Sequence, residues 1–196
     1  AKTGAMKWQK NVIGDFGGQN ITWALAESVL IDGDRVICSP GGGGPAMMAL
    51  NKYTGAPVWA AQSNGEKPGY ASIVLIEQDG LRMFLQMTGK SLIGVSADDG
   101  RLLFTYKHET AHDVNATDPL HYNGQVFITS GYGRGSEMLK LTVSGRNAGV
   151  RQLWESKELD NHHGGVIRVG NYIYGAASKA NRAAWICLDW NTGEMK

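Results

Sequence analysis

Two cysteines, Cys38 and Cys187, are all that this 196-residue chain carries. It has no Cys-x-x-Cys and no adjacent cysteine pair, so neither a cysteine zinc site nor a disulfide framework is expected. Both cysteines sit on strand-like runs, Arg35-Val36-Ile37-Cys38 and Trp185-Ile186-Cys187-Leu188, far apart in the chain, and read as free thiols. Charge of one sign is also missing. Nineteen Lys and Arg against eighteen Asp and Glu leave a net charge of +1, and the basic residues are scattered. This pattern gives no footing for nucleic acid or an anionic membrane surface. No apolar run approaches the roughly 20 residues of a transmembrane helix. No stretch holds a helical 3.6-residue period for three turns.

Glycine is abundant, with 27 residues, as expected where many tight turns need positive φ. The glycines recur with a period. A mid-repeat turn appears at Asp32-Gly33, Asp79-Gly80, Asn123-Gly124 and Gly170-Asn171, with glycine spacings of 47, 44 and 46 residues. A closing signature accompanies it. Its full form is Ala49-Leu50-Asn51-Lys52-Tyr53-Thr54-Gly55-Ala56-Pro57-Val58-Trp59. It returns as Val95-Ser96-Ala97-Asp98-Asp99-Gly100-Arg101-Leu102-Leu103-Phe104, and again as Cys187-Leu188-Asp189-Trp190-Asn191-Thr192-Gly193. A period in the forties with several short strands per unit is that of a propeller blade.

The strand-like runs are rich in β-branched and aromatic residues. In the first repeat they are Ser28–Ile31, Arg35–Cys38, Ala46–Leu50 and Ala56–Trp59; the second follows the same course from Ser72 to Phe104. The expected fold is all-β: a β-propeller segment of about four four-stranded blades, from a ring of seven or eight, with repeats at roughly 9–60, 61–106, 107–155 and 156–196. Trp8, Trp59, Phe104 and Trp154 close their units and are expected to dock blade against blade. The third repeat drops the signature over Lys140–Gly149, where a lengthened, protruding loop is expected. The chain opens and closes inside a blade signature. Its terminal strands are therefore expected to need partners, either further blades of the same polypeptide or a second copy.

These residues resemble the quinoprotein-type repeat, whose blades carry an Ala-x-Asp-x-x-Thr-Gly-x-x-x-Trp signature, and the resemblance extends over essentially the whole chain. The chain is most similar to bacterial pyrroloquinoline-quinone-binding-like β-propeller repeat proteins. The stretches that carry this likeness are Trp23–Ser28, Thr88–Val95, Ser130–Gly135 and Asp160–Gly165. The resemblance implies an extracytoplasmic setting. It also implies one of two activities: a scaffold that binds protein or small molecules, or a dehydrogenase using pyrroloquinoline quinone and Ca²⁺.

In a propeller the residues just before each inner strand face the channel mouth. Repeat alignment puts Trp23, Glu27 and Ser28, Tyr70 and Ser72, Asn115 and Thr117, and Asn161, His162 and His163 there. This polar, aromatic set is the candidate ligand site; the alternative is that these residues bond neighbouring loops and close the ring. A quinone dehydrogenase needs a carboxylate base, a cation and a flat aromatic clamp. Glu27 is the candidate base or Ca²⁺ ligand, Asn115 or Asn161 an oxygen ligand, and Trp23 the stacking platform. No arginine is placed to hold the quinone's carboxylates, and no cofactor is demonstrable from sequence.

Other motifs read as structure. Thr88-Gly89-Lys90-Ser91 mimics the end of a phosphate-binding loop but joins two strands, with no helix to follow. Gly41–Gly44 reads as a flexible connection, Asp98-Asp99-Gly100 as a turn with solvated acids, and His108 and His112 as solvated residues flanking a polar linker.

Overall fold

Alternation along a strand sends successive side chains to opposite faces, and here both faces are apolar. In Leu81–Met87, Met83, Leu85 and Met87 point one way and Phe84 the other, all four fully buried. A sheet of such strands needs a neighbour on each side. The computed structural model, which describes residues 3–178 and 184–196, supplies them by stacking four antiparallel sheets in chain order.

The first sheet holds β1 (Leu30–Asp32), β2 (Arg35–Cys38), β3 (Met48–Asn51) and β4 (Pro57–Ala60). The second holds β5 (Val74–Gln78), β6 (Leu81–Met87), β7 (Ser91–Ser96) and β8 (Leu102–Lys107). The third holds β9 (Leu120–Tyr122), β10 (Gln125–Ser130), β11 (Gly135–Ser144) and β12 (Asn147–Ser156). The fourth has three strands, β13 (Val166–Val169), β14 (Tyr172–Ala177) and β15 (Ala184–Asp189), with an isolated bridge from Leu188 to Met195 beginning a fourth. Each sheet is an up-and-down meander, as in a propeller blade. Ahead of β1 lies a short helix, α1 (Val12–Phe16), capped by Asn11.

Three apolar cores lie between consecutive blades. Ile37, Met47 and Ala49 meet Phe84, Ile93 and Val95 between blades one and two. Met83, Leu85 and Leu92 meet Val126, Ile128 and Leu139 between blades two and three. Phe127 and Met138 meet Ile173 and Leu188 between blades three and four. The face of blade one turned away from blade two is covered by Trp8, Val12 and Phe16, packed on Cys38, Met48 and Leu50. The outward face of blade four is open: Ile167, Val169, Tyr172, Tyr174 and Trp185 are all exposed. Tyr174 repeats the position of Ile37, Met83 and Phe127, each of which is 0 % exposed against the following blade.

The closing aromatics pack over turn glycines. Trp8 lies on Gly55, Trp59 on Gly100 and Trp154 on Gly193; each glycine has positive φ, and an added Cβ would stand 2.5–2.8 Å from the ring. The turns at Asn51 and Asp189 are built alike: the side-chain oxygen of residue 51 or 189 accepts from the second and third following N–H groups, at 2.8–3.1 Å. The indole N–H of Trp8 donates to Lys52 O, and that of Trp154 to the equivalent Trp190 O. Trp59 is the exception. Its N–H has no partner, because the equivalent carbonyl, Ala97 O, accepts from Arg35.

Two expectations need correction, and Phe104 differs from the other closing aromatics: it covers Gly94 of its own sheet, on the face turned to blade three, rather than a turn of the next blade. The third repeat offers no signature turn for it, and it has no protruding loop either. β11 and β12 are ten residues each and join through a two-residue turn, Gly145-Arg146, with positive φ at Gly145. The polar run became paired strand instead. The glycine run at 41–44 is not a slack connection: a Cβ on Gly41 would lie 2.5 Å from Pro68 Cδ, and on Gly44 2.5 Å from Phe16 O. Packing, rather than flexibility, requires glycine there.

Replacing Trp59 with Ala removes most of the ring that seals blade one to blade two. We expect a loss of about 3–5 kcal/mol in denaturant unfolding. Gly100→Ala should also destabilise, because it pairs a strained φ with a clash against the same indole. A change below about 1 kcal/mol for Trp59→Ala would remove the docking role.

Candidate functional site

Where the inner strands begin, loops from all four repeats converge on a pocket of about 470 Å³ lined by Trp23, Ala26, Tyr70, Val114, Ala116, Tyr132, His162 and His163. Trp23 and Tyr70 lie 5.8 Å apart at 56°; Tyr132 meets the His162 ring edge-on at 4.6 Å, and His162 lies 4.6 Å from His163. His112, solvent-exposed, also meets the Tyr132 ring edge-on, at 5.0 Å. A second hollow of about 530 Å³ adjoins it along the channel wall and shares Tyr70, Ala116 and His163; Ser72, Asp118 and Gly164 are among its other walls.

The backbone around the pocket is strained. Among the described residues five non-glycine residues have positive φ, and two of them, Asp79 and Asn123, are hairpin-turn residues. The other three, Ala24, Asp113 and Tyr132, stand in the loops that carry Trp23, Val114 and the Tyr132 ring. Such strain collects at functional sites because the surrounding structure must hold it.

Of the residues selected from the sequence, Trp23, Tyr70, His162 and His163 come together in the pocket. Asn115, Asn161, Glu27 and Ser28 do not line it. Asn115 is 0 % exposed, and its amide donates to Thr88 O, Gly89 O and His108 O while Ser130 Oγ donates to its oxygen at 2.6 Å. Asn161 donates to Gly165 O and Ala176 O and accepts from Thr117 Oγ1 at 2.7 Å. These asparagines are framework. They hold the loops on which Val114, Ala116, His162 and His163 are carried. Glu27 accepts from Ser39 N–H at 2.7 Å and from Gln86 Nε2 at 3.1 Å, and burial raises its pKa. Ser28 N–H donates to Ser72 Oγ, and Ser72 N–H in turn to Asp118 Oδ1, a ladder from blade to blade.

Tyr132 is the site residue that sequence reasoning passed over. It lies on the turn between β10 and β11, which Asp160 holds by accepting from Gly133 N–H and Gly135 N–H. Its signal was the Ser130-Gly131-Tyr132-Gly133 run, where an aromatic stands between glycines.

His108 corrects another expectation. It is 0 % exposed, with Nδ1 2.6 Å from Glu137 Oε2 and Nε2 3.2 Å from Ser130 Oγ. Glu137 also pairs with Arg134 at 2.7 Å. The serine, histidine and carboxylate are arranged as in a hydrolytic triad, yet all three are buried and Ser130 is bonded to Asn115. This network is a structural tie between blades two and three. Likewise, the Thr88–Ser91 turn grips a carboxylate of its own chain: Glu66 accepts from Lys90 N–H and Ser91 Oγ at 3.1 and 2.7 Å.

The pocket does not fit pyrroloquinoline quinone. Neither hollow is lined by a lysine or arginine to meet the quinone's carboxylates. The oxygens proposed for Ca²⁺, on Glu27, Asn115 and Asn161, are spent on protein donors. Among the described residues no group of three or more His, Cys, Asp or Glu is placed to hold a metal ion.

A family model described as outer membrane protein assembly factor BamB matches residues 1–196. No curated protein matches the sequence. Among the described residues, no helix is long and apolar enough to cross a membrane.

Acid should loosen the His108 network. Burial, the largest cause, holds the imidazole below the ordinary histidine pKa. Burial alone would raise Glu137, but its hydrogen bonds to His108 and Arg134 outweigh this and hold it below the usual carboxylate range. In both cases the unfolded chain takes up protons at a higher pH than the folded one, so stability falls as pH falls. The melting temperature should drop from about pH 6.5 toward pH 5, where the unfolded histidine charges. His108→Gln should flatten that window; an unchanged slope would exclude His108 as its source.

Proposed function

The chain belongs to the PQQ-like repeat family of the outer membrane protein assembly factor BamB, and from that premise and the geometry above we propose that it is a recognition module without catalysis, holding a partner at the channel mouth outside the cytoplasm. One observation carries this reading: five rings, Trp23, Tyr70, Tyr132, His162 and His163, delivered by four loops, meet around one open pocket. Pockets of this size with mainly aromatic and apolar walls are the usual form of a binding site. Recognition surfaces favour Trp and Tyr, which give large contact area at little entropic cost. No carboxylate base and no Ser or Cys nucleophile stands in its walls beside the two histidines. This absence from the walls favours binding over turnover. The family's protein-assembly description points the same way, toward a protein partner.

The test is photo-crosslinking in cells that make the full-length protein. A photoreactive residue in place of Tyr132 should trap a discrete adduct, whereas one in place of Tyr53, 63 % exposed on an outer turn, should not. No adduct at 132, or equal adducts at both, overturns the proposal. Replacing His162 and His163 together with Ala should abolish the adduct and change stability by only about 0.5 kcal/mol. A large loss of melting temperature would make the pair structural instead.

A further inference from the structure

Several carboxylates in this chain have a cation beside them: Asp32 has Arg35 and Arg82, Asp34 has Lys52, Asp99 has Arg146, and Glu137 has Arg134. Three beside the aromatic pocket have none among the described residues. Glu27 follows the lining residue Ala26 and is held by Ser39 and Gln86 alone. Asp118 lines the adjoining hollow and accepts only from Ser72 N–H. Asp160 precedes the two lining histidines and accepts, through both oxygens, from Gly133 and Gly135. Their partners among the described residues are all uncharged donors, which leave the negative charge uncompensated. With no lysine or arginine in either wall, their field converges on a hollow walled by rings. Aromatic faces attract cations by their quadrupole, most strongly where water is displaced, and they attract weakly hydrated cations best.

We infer that the aromatic pocket receives a weakly hydrated cation, either the quaternary ammonium of a small molecule or the guanidinium of an arginine on a protein partner. This deepens the proposed recognition role and rests on it. Trp23 and Tyr70 form one side of the cage and Tyr132 and His162 the other; Asp118 is placed to meet the rest of the ligand where it runs into the channel hollow. An anionic ligand is disfavoured on the same grounds, since Glu27, Asp118 and Asp160 would repel it. The His162 ring serves as a neutral wall, held below the ordinary histidine pKa first by burial and then by His163.

The test uses matched pairs titrated calorimetrically into the full-length protein: choline against its uncharged carbon isostere 3,3-dimethylbutan-1-ol, and N-acetyl-arginine amide against N-acetyl-citrulline amide. We expect the charged member of one pair to bind at least about tenfold tighter than its neutral partner, identifying the source. Asp118→Asn, which keeps the acceptor for Ser72 N–H, should weaken the charged member several-fold and leave the neutral one unchanged. Trp23→Ala should weaken both. Equal affinity within both pairs overturns the cationic inference while leaving an apolar recognition pocket. Absence of binding in both pairs also overturns it, and the Tyr132 adduct then decides the recognition role by itself.

Discussion

Every blade in this chain has two apolar faces, and a four-stranded sheet cannot bury both by itself. Stacking is therefore obligatory. At about 25 cal/mol per Å² of apolar surface removed from water, the interblade cores dominate whatever stability the chain has. The indole rings over Gly55, Gly100 and Gly193 set the spacing at the rim, because only a residue without Cβ lets the ring lie flat on the turn. Trp59 shows what takes precedence. It gives up its hydrogen bond to Arg35 yet keeps its place over Gly100. Apolar burial outweighs the single polar contact there. The open face of blade four follows from the same constraint, since it presents Tyr174 at a position buried in every earlier blade.

The pocket is a consequence of that stacking. Propeller blades approach one another most closely at their inner strands, so the loops before those strands are forced together. Asn115 and Asn161 use this crowding by reaching across to carbonyls of adjoining segments, which fixes the loops with little freedom. The strain at Ala24, Asp113 and Tyr132 is sustained by this framework. Rigid aromatic walls suit recognition because a ligand then orders few side chains on binding.

The sequence pointed to the right loops and in places to the neighbouring residue. Glu27, Asn115 and Asn161 stand out in the sequence because they are polar, and polarity near a channel suggests ligand chemistry. Their neighbours Ala26, Val114, Ala116 and His162 line the pocket instead. Adjacent residues in an extended loop point to opposite sides. Which side faces the channel is set by how the loop sits on the next blade, information that spacing does not contain. His108 failed for a related reason: its polar surroundings in sequence suggested solvent, while its partner Glu137 lies 29 residues away on β11.

The repeat period, the turn glycines and the closing aromatics were legible because they are local: a tight turn or a docked indole imposes its residue type directly on the sequence. Blade architecture and strand order followed from them. Tertiary structure alone decided which face of each mouth loop turns inward. It also decided that the third repeat extends as a paired hairpin, that Phe104 folds onto Gly94, and that Tyr132 meets Trp23, Tyr70 and the histidines. These depend on contacts between residues tens of positions apart, and such contacts are set by packing.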